Sequence, residues 1–300
     1  MAPMSRRPRP ATCWSALADP FPRLSAEPLP AGSRIACRIE YNGARYNGWQ
    51  SQPHLNVLTV QQELESALSS VADHPLRVHC AGRTDTGVHG HCQIVHFDAP
   101  AARAPKAWVL GANASMAKDV RVHWATVVPE SFHARFCAVA RRYRYVIANT
   151  LVRPAVLVGQ VSWYRYPLDA ATMDKAAQSL LGEQDFSAFR AAACQSNSPM
   201  RNVHSVAVRR IGDLVVVDIQ ANAFLHHMVR NIVGSLLAVG SGRKPEAWIG
   251  QLLAARDRTQ AADTAAPHGL YLADVLYPDD FSLPETPYGP LIIAAGVTAS

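Results

Sequence analysis

The residues best suited to chemistry lie in one ten-residue run at positions 81–90, Ala-Gly-Arg-Thr-Asp-Thr-Gly-Val-His-Gly. Asp85 is the only acid between Asp73 and Asp98, and Arg83 stands two residues before it. Gly82, Gly87 and Gly90 allow backbone shapes and close approaches that a Cβ would block. A carboxylate held on such a loop can act as a nucleophile or a general base, and loops between strands commonly carry such groups. The same composition also suits an ordinary turn, because Asp accepts hydrogen bonds from nearby backbone N–H groups. Residue types alone leave both readings open.

Two further stretches carry polar side chains in a meaningful pattern. Residues 141–147 read Arg-Arg-Tyr-Arg-Tyr-Val-Ile. Strand alternation puts Tyr143, Tyr145 and Ile147 on one face and Arg142 and Arg144 on the other. Rings that stack on bases beside guanidinium groups that hold phosphates would suit RNA. An ordinary half-buried strand with a charged outer face has the same pattern. Residues 222–239 predict the longest amphipathic helix, with Leu225, Met228, Val229, Ile232, Val233, Leu236 and Leu237 in one stripe and His227, Arg230 and Asn231 off it. A third group, Cys80, His89, His91, Cys92 and His96, invites a metal-dependent hydrolase reading. Its spacing matches neither C-x-x-C nor H-E-x-x-H, and alternation would turn its members to different faces, so no metal site is expected.

The elements that must position these residues can be read from pattern. Residues 35–41 alternate as a strand, followed by two Asn-Gly turns in the segment from Tyr41 to Gln50. That segment reads as a hairpin end with packed aromatics. Thr59 and Gln62 form a capping box that opens a helix. Strands are expected over residues 94–97 and 119–124, with a helix over 108–114 between them. The second half repeats this grammar, with a helix over 170–181 stopped by Gly182. Strands at 204–211 and 214–219 follow around Gly212-Asp213, and a last helix begins at Pro245. The Pro- and Arg-rich residues 1–33 read as a disordered tail. Residues 34–150 read as one lobe, 151–277 as a second lobe completing the site, and 278–300 as a surface extension.

Several motifs, in order, resemble the tRNA pseudouridine synthase A (TruA) family. Gly-Arg-Thr-Asp-x-Gly-Val-His at residues 82–89 resembles its active-site loop, with Thr86 a mild departure from the Ala often found there. Tyr-x-Gly…Tyr-x-Gly-Trp-Gln resembles its opening segment, and Arg-Arg-x-Tyr-x-Tyr its central strand. Phe224 to Gly234 resembles Phe-x-x-x-Met-Val-Arg-Asn-Ile-x-Gly. Ala266-Pro267-His268-Gly269-Leu270-Tyr271-Leu272 resembles its closing segment, loose by one position. The resemblance runs from about residue 34 to 272. It implies an α/β protein of the α+β type, a two-lobed pseudouridine synthase fold with a mostly antiparallel central sheet, helices outside and an RNA cleft. It also implies an isomerase acting on uridines at positions 38–40 of the tRNA anticodon stem-loop, as a cytoplasmic homodimer. On this reading Asp85 is the catalytic carboxylate, acting as nucleophile or as sugar-proton base. Arg230 pairs with it and Tyr143 lies against the target base. Arg83, Arg141, Arg142 and Arg144 are expected to contact RNA.

The overall chemistry of the chain agrees. The 300 residues suffice for a substantial core, and hydrophobic residues make up 49%. Lys and Arg exceed Asp and Glu by 29 to 23, a mild basic bias compatible with a nucleic-acid partner. Six scattered cysteines without C-x-x-C spacing read as free thiols of a reducing compartment. No apolar run approaches the roughly 20 residues of a membrane helix, and no secretory signal is expected. Uridine isomerisation is redox-neutral and adds no atom, so no cofactor is expected. A non-catalytic tRNA-binding module or RNA chaperone on the same scaffold is the alternative, which the presence of Asp85, Tyr143 and Arg230 together disfavours.

Overall fold

The computed structural model describes residues 24–52 and 54–294. In chain order its elements are β1 (Arg34–Tyr41), α1 (Val60–Ala72), β2 (His79–Cys80), β3 (His89–Asp98), α2 (Ala112–Ser115), β4 (Val120–Val128), β5 (Ala140–Ala148) and β6 (Ser162–Trp163). There follow α3 (Ala170–Ala177), β7 (Gly182–Asp185), β8 (Met200–Ile211), β9 (Leu214–Ala221), α4 (Met228–Gly240), α5 (Trp248–Ala255), β10 (Leu270–Leu276) and α6 (Leu291–Ala294).

One sheet runs through the molecule in the order β4-β1-β3-β10-β5-β9-β8-β7. Every pairing along this path is antiparallel except β3 with β10. That parallel seam is short, with Tyr271 opposite His89 and Leu272 opposite Gly90, and it begins where the Asp85 loop ends. The second half of the chain thus reaches back to insert β10 between two strands of the first half. β5, although early in sequence, is integrated with β9 and β10.

Two helical layers cover the sheet. One core packs α1 and the residues around Trp108 over β1, β3 and β4, with Ile35, Cys37, Ile39, Leu64, Leu68, Val95 and Phe97 fully buried. The larger core gathers α3, α4 and α5 with Tyr143, Tyr145, Ile147, Val215 and Val217 of β5 and β9. Thr59 caps α1 as expected, its hydroxyl accepting from Gln62 N at 3.4 Å. Gly182 ends the α3 region with φ +87°, a conformation glycine adopts at little cost.

Part of the stretch read as a tail is packed. Leu24 and Leu29 lie against the first core, and Leu29 N donates to Arg103 O at 2.9 Å; residues 1–23 lie outside the described residues. At the other end, residues 284–294 cross the sheet face opposite the helices. Thr286 Oγ1 meets Cys92 Sγ at 3.1 Å, Pro287 O faces His91 Nε2 at 3.1 Å, and Ile293 is buried.

Candidate active site

The Asp85 loop spans β2 and β3 and is shaped by backbone fits that only glycine permits. A Cβ on Gly43 would lie 1.9 Å from Val88 O. Gly48, at φ +82°, is pressed against Thr84 O, and Trp49 N donates to that carbonyl at 3.0 Å. Tyr41 and Thr84 share a hydroxyl hydrogen bond of 2.8 Å. The buried Gln93 side chain holds both backbone groups of Gly82, donating to its carbonyl at 2.5 Å and accepting from its N–H at 3.3 Å. The segment from Tyr41 to Gln50, expected as a hairpin end, is therefore the cradle of the loop.

The opposite wall comes from α4 and the turn before β10. The expected helix over residues 222–239 begins only at Met228. His227 adopts a left-handed conformation at φ +59°, so residues 222–227 form a turn. This turn aims His226 and His227 at Asp85: His226 Nε2 lies 3.5 Å from Asp85 Oδ1, and His227 Nε2 lies 3.4 Å from Oδ2. Arg230 Nη1 lies 3.6 Å from Oδ2. Its Nε donates to Ala265 O at 2.8 Å, which fixes the guanidinium, and Ala265 N returns a bond to Arg230 O at 3.1 Å. Pro267 packs beside Gly87, and Tyr145 Oη donates to Ala266 O at 2.8 Å. Asp85 retains 29% side-chain exposure against 13% for Arg230, so the carboxylate reaches solvent while the guanidinium is largely covered. The N-terminus of α4 adds a partial positive charge on the same side.

Tyr143 completes the cleft. It is buried, its ring meets Phe224 edge-on at 4.9 Å between centroids, and its hydroxyl lies over Gly82. Burial raises the Tyr143 hydroxyl pKa well above the usual phenol range, and the Asp85 charge adds to the effect. The hydroxyl is thus protonated at neutral pH. His227 moves the other way, burial lowering its pKa below the ordinary imidazole value.

The arginines expected to contact RNA separate into three situations. Arg83 is exposed at the tip of the loop. Arg141 spends its guanidinium on four carbonyls, those of Ala81, Arg135, Ala138 and Asn222. It ties the root of the Asp85 loop to the turn that carries the histidines. Arg142 and Arg144 leave β5 on the face away from Tyr143, as alternation requires, and both bind Asp218 of β9, at 2.6 and 2.9 Å. Arg144 is buried there, stacked 3.8 Å from the Tyr288 ring centre and donating to Gly289 O. Arg142 and Arg144, expected to contact RNA, thus lie on the side of the sheet opposite Tyr143, with their guanidinium groups paired to Asp218. A carboxylate 74–76 residues on in sequence pairs with both, and the C-terminal segment covers Arg144.

His89 and His96 are structural. His89 Nδ1 accepts from Gly43 N at 3.0 Å, and His96 Nδ1 accepts from Ala134 N at 3.1 Å. The group Cys80, His89, His91, Cys92 and His96 is dispersed among such contacts. The histidines that do face the acid, His226 and His227, were missed as site residues. Their visible signal was a pair of imidazoles immediately before the Met-Val-Arg-Asn run.

A cradled carboxylate, an arginine fixed opposite it and a buried aromatic, set where two halves of one sheet meet, define an enzyme cleft. The chain belongs to the tRNA pseudouridine synthase family, whose model matches residues 38–137 and 176–278. It is 58% identical over 258 residues to tRNA pseudouridine synthase A of Tolumonas auensis, covering 86% of this chain and 98% of the relative. It is 57% identical over 271 residues to the protein of that name from Salmonella typhimurium, covering 90% and 100%. Among solved structures, a Cbf5-Nop10-Gar1 complex aligns at 10% identity and TM-score 0.31 over 79% of this chain and 57% of that one, too slight a likeness to bear on the site.

Proposed function

We propose that the protein isomerises uridine to pseudouridine in tRNA, at positions 38–40 of the anticodon stem-loop, with Asp85 as the reacting carboxylate. The convergence of Arg230 and the α4 N-terminus on Asp85, in a cleft floored by Tyr143, carries this reading. The reaction breaks N1–C1′, turns the uracil and forms C5–C1′, while C5 loses a proton and N1 gains one. Nothing is oxidised, and no atom is added overall. Attack on the sugar and removal of a sugar proton both need a carboxylate oxygen aimed into the cleft, and Asp85 offers one. Arg230 balances its charge and holds its orientation.

Tyr143 serves as a stacking platform for the uracil and as a hydroxyl donor. Its raised pKa argues against a phenolate base for the C5 proton. The target nucleotide must leave its stack, at a cost of a few kcal/mol, and Arg83 at the loop tip is placed to meet its phosphate or fill the vacated space. Arg141 supports the loop from behind. Phosphate contacts on the wider surface supply most of the affinity. The enzyme is read as a cytoplasmic homodimer. The family resemblance supports this, and the five free cysteines among the described residues agree with a reducing compartment. No helix among these residues is long and apolar enough to cross a membrane.

Pseudouridine mapping of unmodified tRNA incubated with the purified protein tests the reading. New pseudouridine at 38–40 is expected. Tight tRNA binding without any new pseudouridine would instead favour a non-catalytic binding module.

A further inference from the structure

We propose that Asp85, His226 and His227 form a binding site for zinc-like transition-metal ions, and that the bound ion switches the enzyme off. Two adjacent histidines would ordinarily splay apart, yet the left-handed backbone of His227 brings both rings to one carboxylate, with their centroids 4.0 Å apart. One ligand atom from each of the three residues lies within 4.8 Å of the others. The two nitrogen–oxygen separations, 3.5 and 3.4 Å, exceed a normal N–H···O hydrogen bond. Each is close to the edge of a metal tetrahedron, roughly 3.3–3.4 Å for ligand atoms ~2.0–2.1 Å from zinc; the two run to different oxygens of Asp85, so the carboxylate would hold the ion through both.

The chemistry of the donor set selects the ion. Two imidazoles and one carboxylate suit zinc, copper, nickel and cobalt, and they discriminate against magnesium and calcium, which want oxygen ligands. Side-chain exposures of 37%, 29% and 29% for His226, His227 and Asp85 leave an open fourth position and an entry path from solvent. Arg230, 3.6 Å from Asp85 Oδ2, opposes a second cation. Binding is therefore reversible rather than that of a resident structural zinc. The metal takes the carboxylate lone pair that isomerisation needs. This inhibitory half of the proposal rests on Asp85 being the reacting group; the binding half does not.

The test uses the full chain without RNA. Co²⁺ is titrated and followed by its visible tetrahedral absorption, and Zn²⁺ is titrated by calorimetry. One saturable site is expected, weakened at least tenfold by His226→Asn and abolished when His227→Asn is added, with melting curves confirming the fold. If the double variant does not fold, the single variant at half-exposed His226 decides. Zn²⁺ should then halve turnover at the concentration that half-fills the site, a chelator should restore it, and equal Mg²⁺ should do nothing. Absence of saturable binding, or Co²⁺ binding unchanged by the histidine substitutions, would overturn the site. Saturable binding with unimpaired turnover would overturn the inhibition and the role of Asp85 while leaving the site standing.

Discussion

Arg230→Met tests whether the guanidinium opposite Asp85 contributes to turnover. The charges lie 3.6 Å apart. Their attraction is about 1 kcal/mol if water screens it fully and about 4–5 kcal/mol at an effective dielectric of 20. The arginine is largely buried and the acid partly open, so about 2–3 kcal/mol is the working figure. If that stabilisation acts in the transition state, the single-turnover rate falls roughly 30- to 200-fold. The substitution also strips the charged donor from Ala265 O, worth about 1.5–3 kcal/mol, which lowers the melting temperature by roughly 3–8 °C in a domain of this size. Because Asp85 keeps access to water, the fold should survive. The rate is read as tritium release from 5-³H-uridine in tRNA at saturating enzyme, beside a binding titration. Arg230→Lys restores the charge without the planar fork and should recover part of the rate. A Met variant within twofold of the parent rate, with normal binding, would refute the argument.

Other expectations follow from single contacts. Tyr143→Phe keeps the ring against Phe224 and should bind tRNA as the parent does; full turnover would show that stacking is the whole contribution of Tyr143. A chain starting at Arg34 should melt measurably below one starting at Leu24, because Leu24 and Leu29 pack into the first core; equal melting would show those contacts to be idle. Burial lowers the pKa of His89 and of His96 to about 4. The unfolded chain therefore takes up these protons first. The associated stability is complete above about pH 6.5 and is lost as pH falls toward 4, with a slope of up to ~1.4 kcal/mol per pH unit for each residue. Urea midpoints measured against pH should show this fall, and His96→Gln should flatten it; an unchanged slope would contradict the assignment.

The parts of the site that depend on local pattern were legible in the sequence. The Tyr143 face of β5, the Thr59 cap and the apolar stripe of α4 follow from spacing and turn chemistry, whereas the parts given to Asp85 and Arg230 come from the family resemblance, since residue types alone leave Asp85 open between a reacting group and a turn residue. What escaped depends on distant partners. Arg142 and Arg144 look free for RNA until β9 brings Asp218 beside them and the C-terminal segment lays Tyr288 on Arg144. α4 starts six residues later than the periodicity predicts, because apolar residues continue back through Leu225 and pattern cannot reveal that His227 takes a positive φ. That departure from helix is what delivers two imidazoles to the acid. Likewise, the glycines at 43 and 48 read as turn markers, whereas their missing side chains make room for the loop they support.

Asp85→Asn, assayed beside the parent for tritium release and for tRNA binding, tests the central claim most directly. The amide keeps the size and much of the hydrogen bonding of the acid but removes the charge, and the loop holds no second acid. The variant should fold, bind tRNA about as tightly as the parent and release no tritium above background. Substantial tritium release by a folded Asp85→Asn protein would contradict the account.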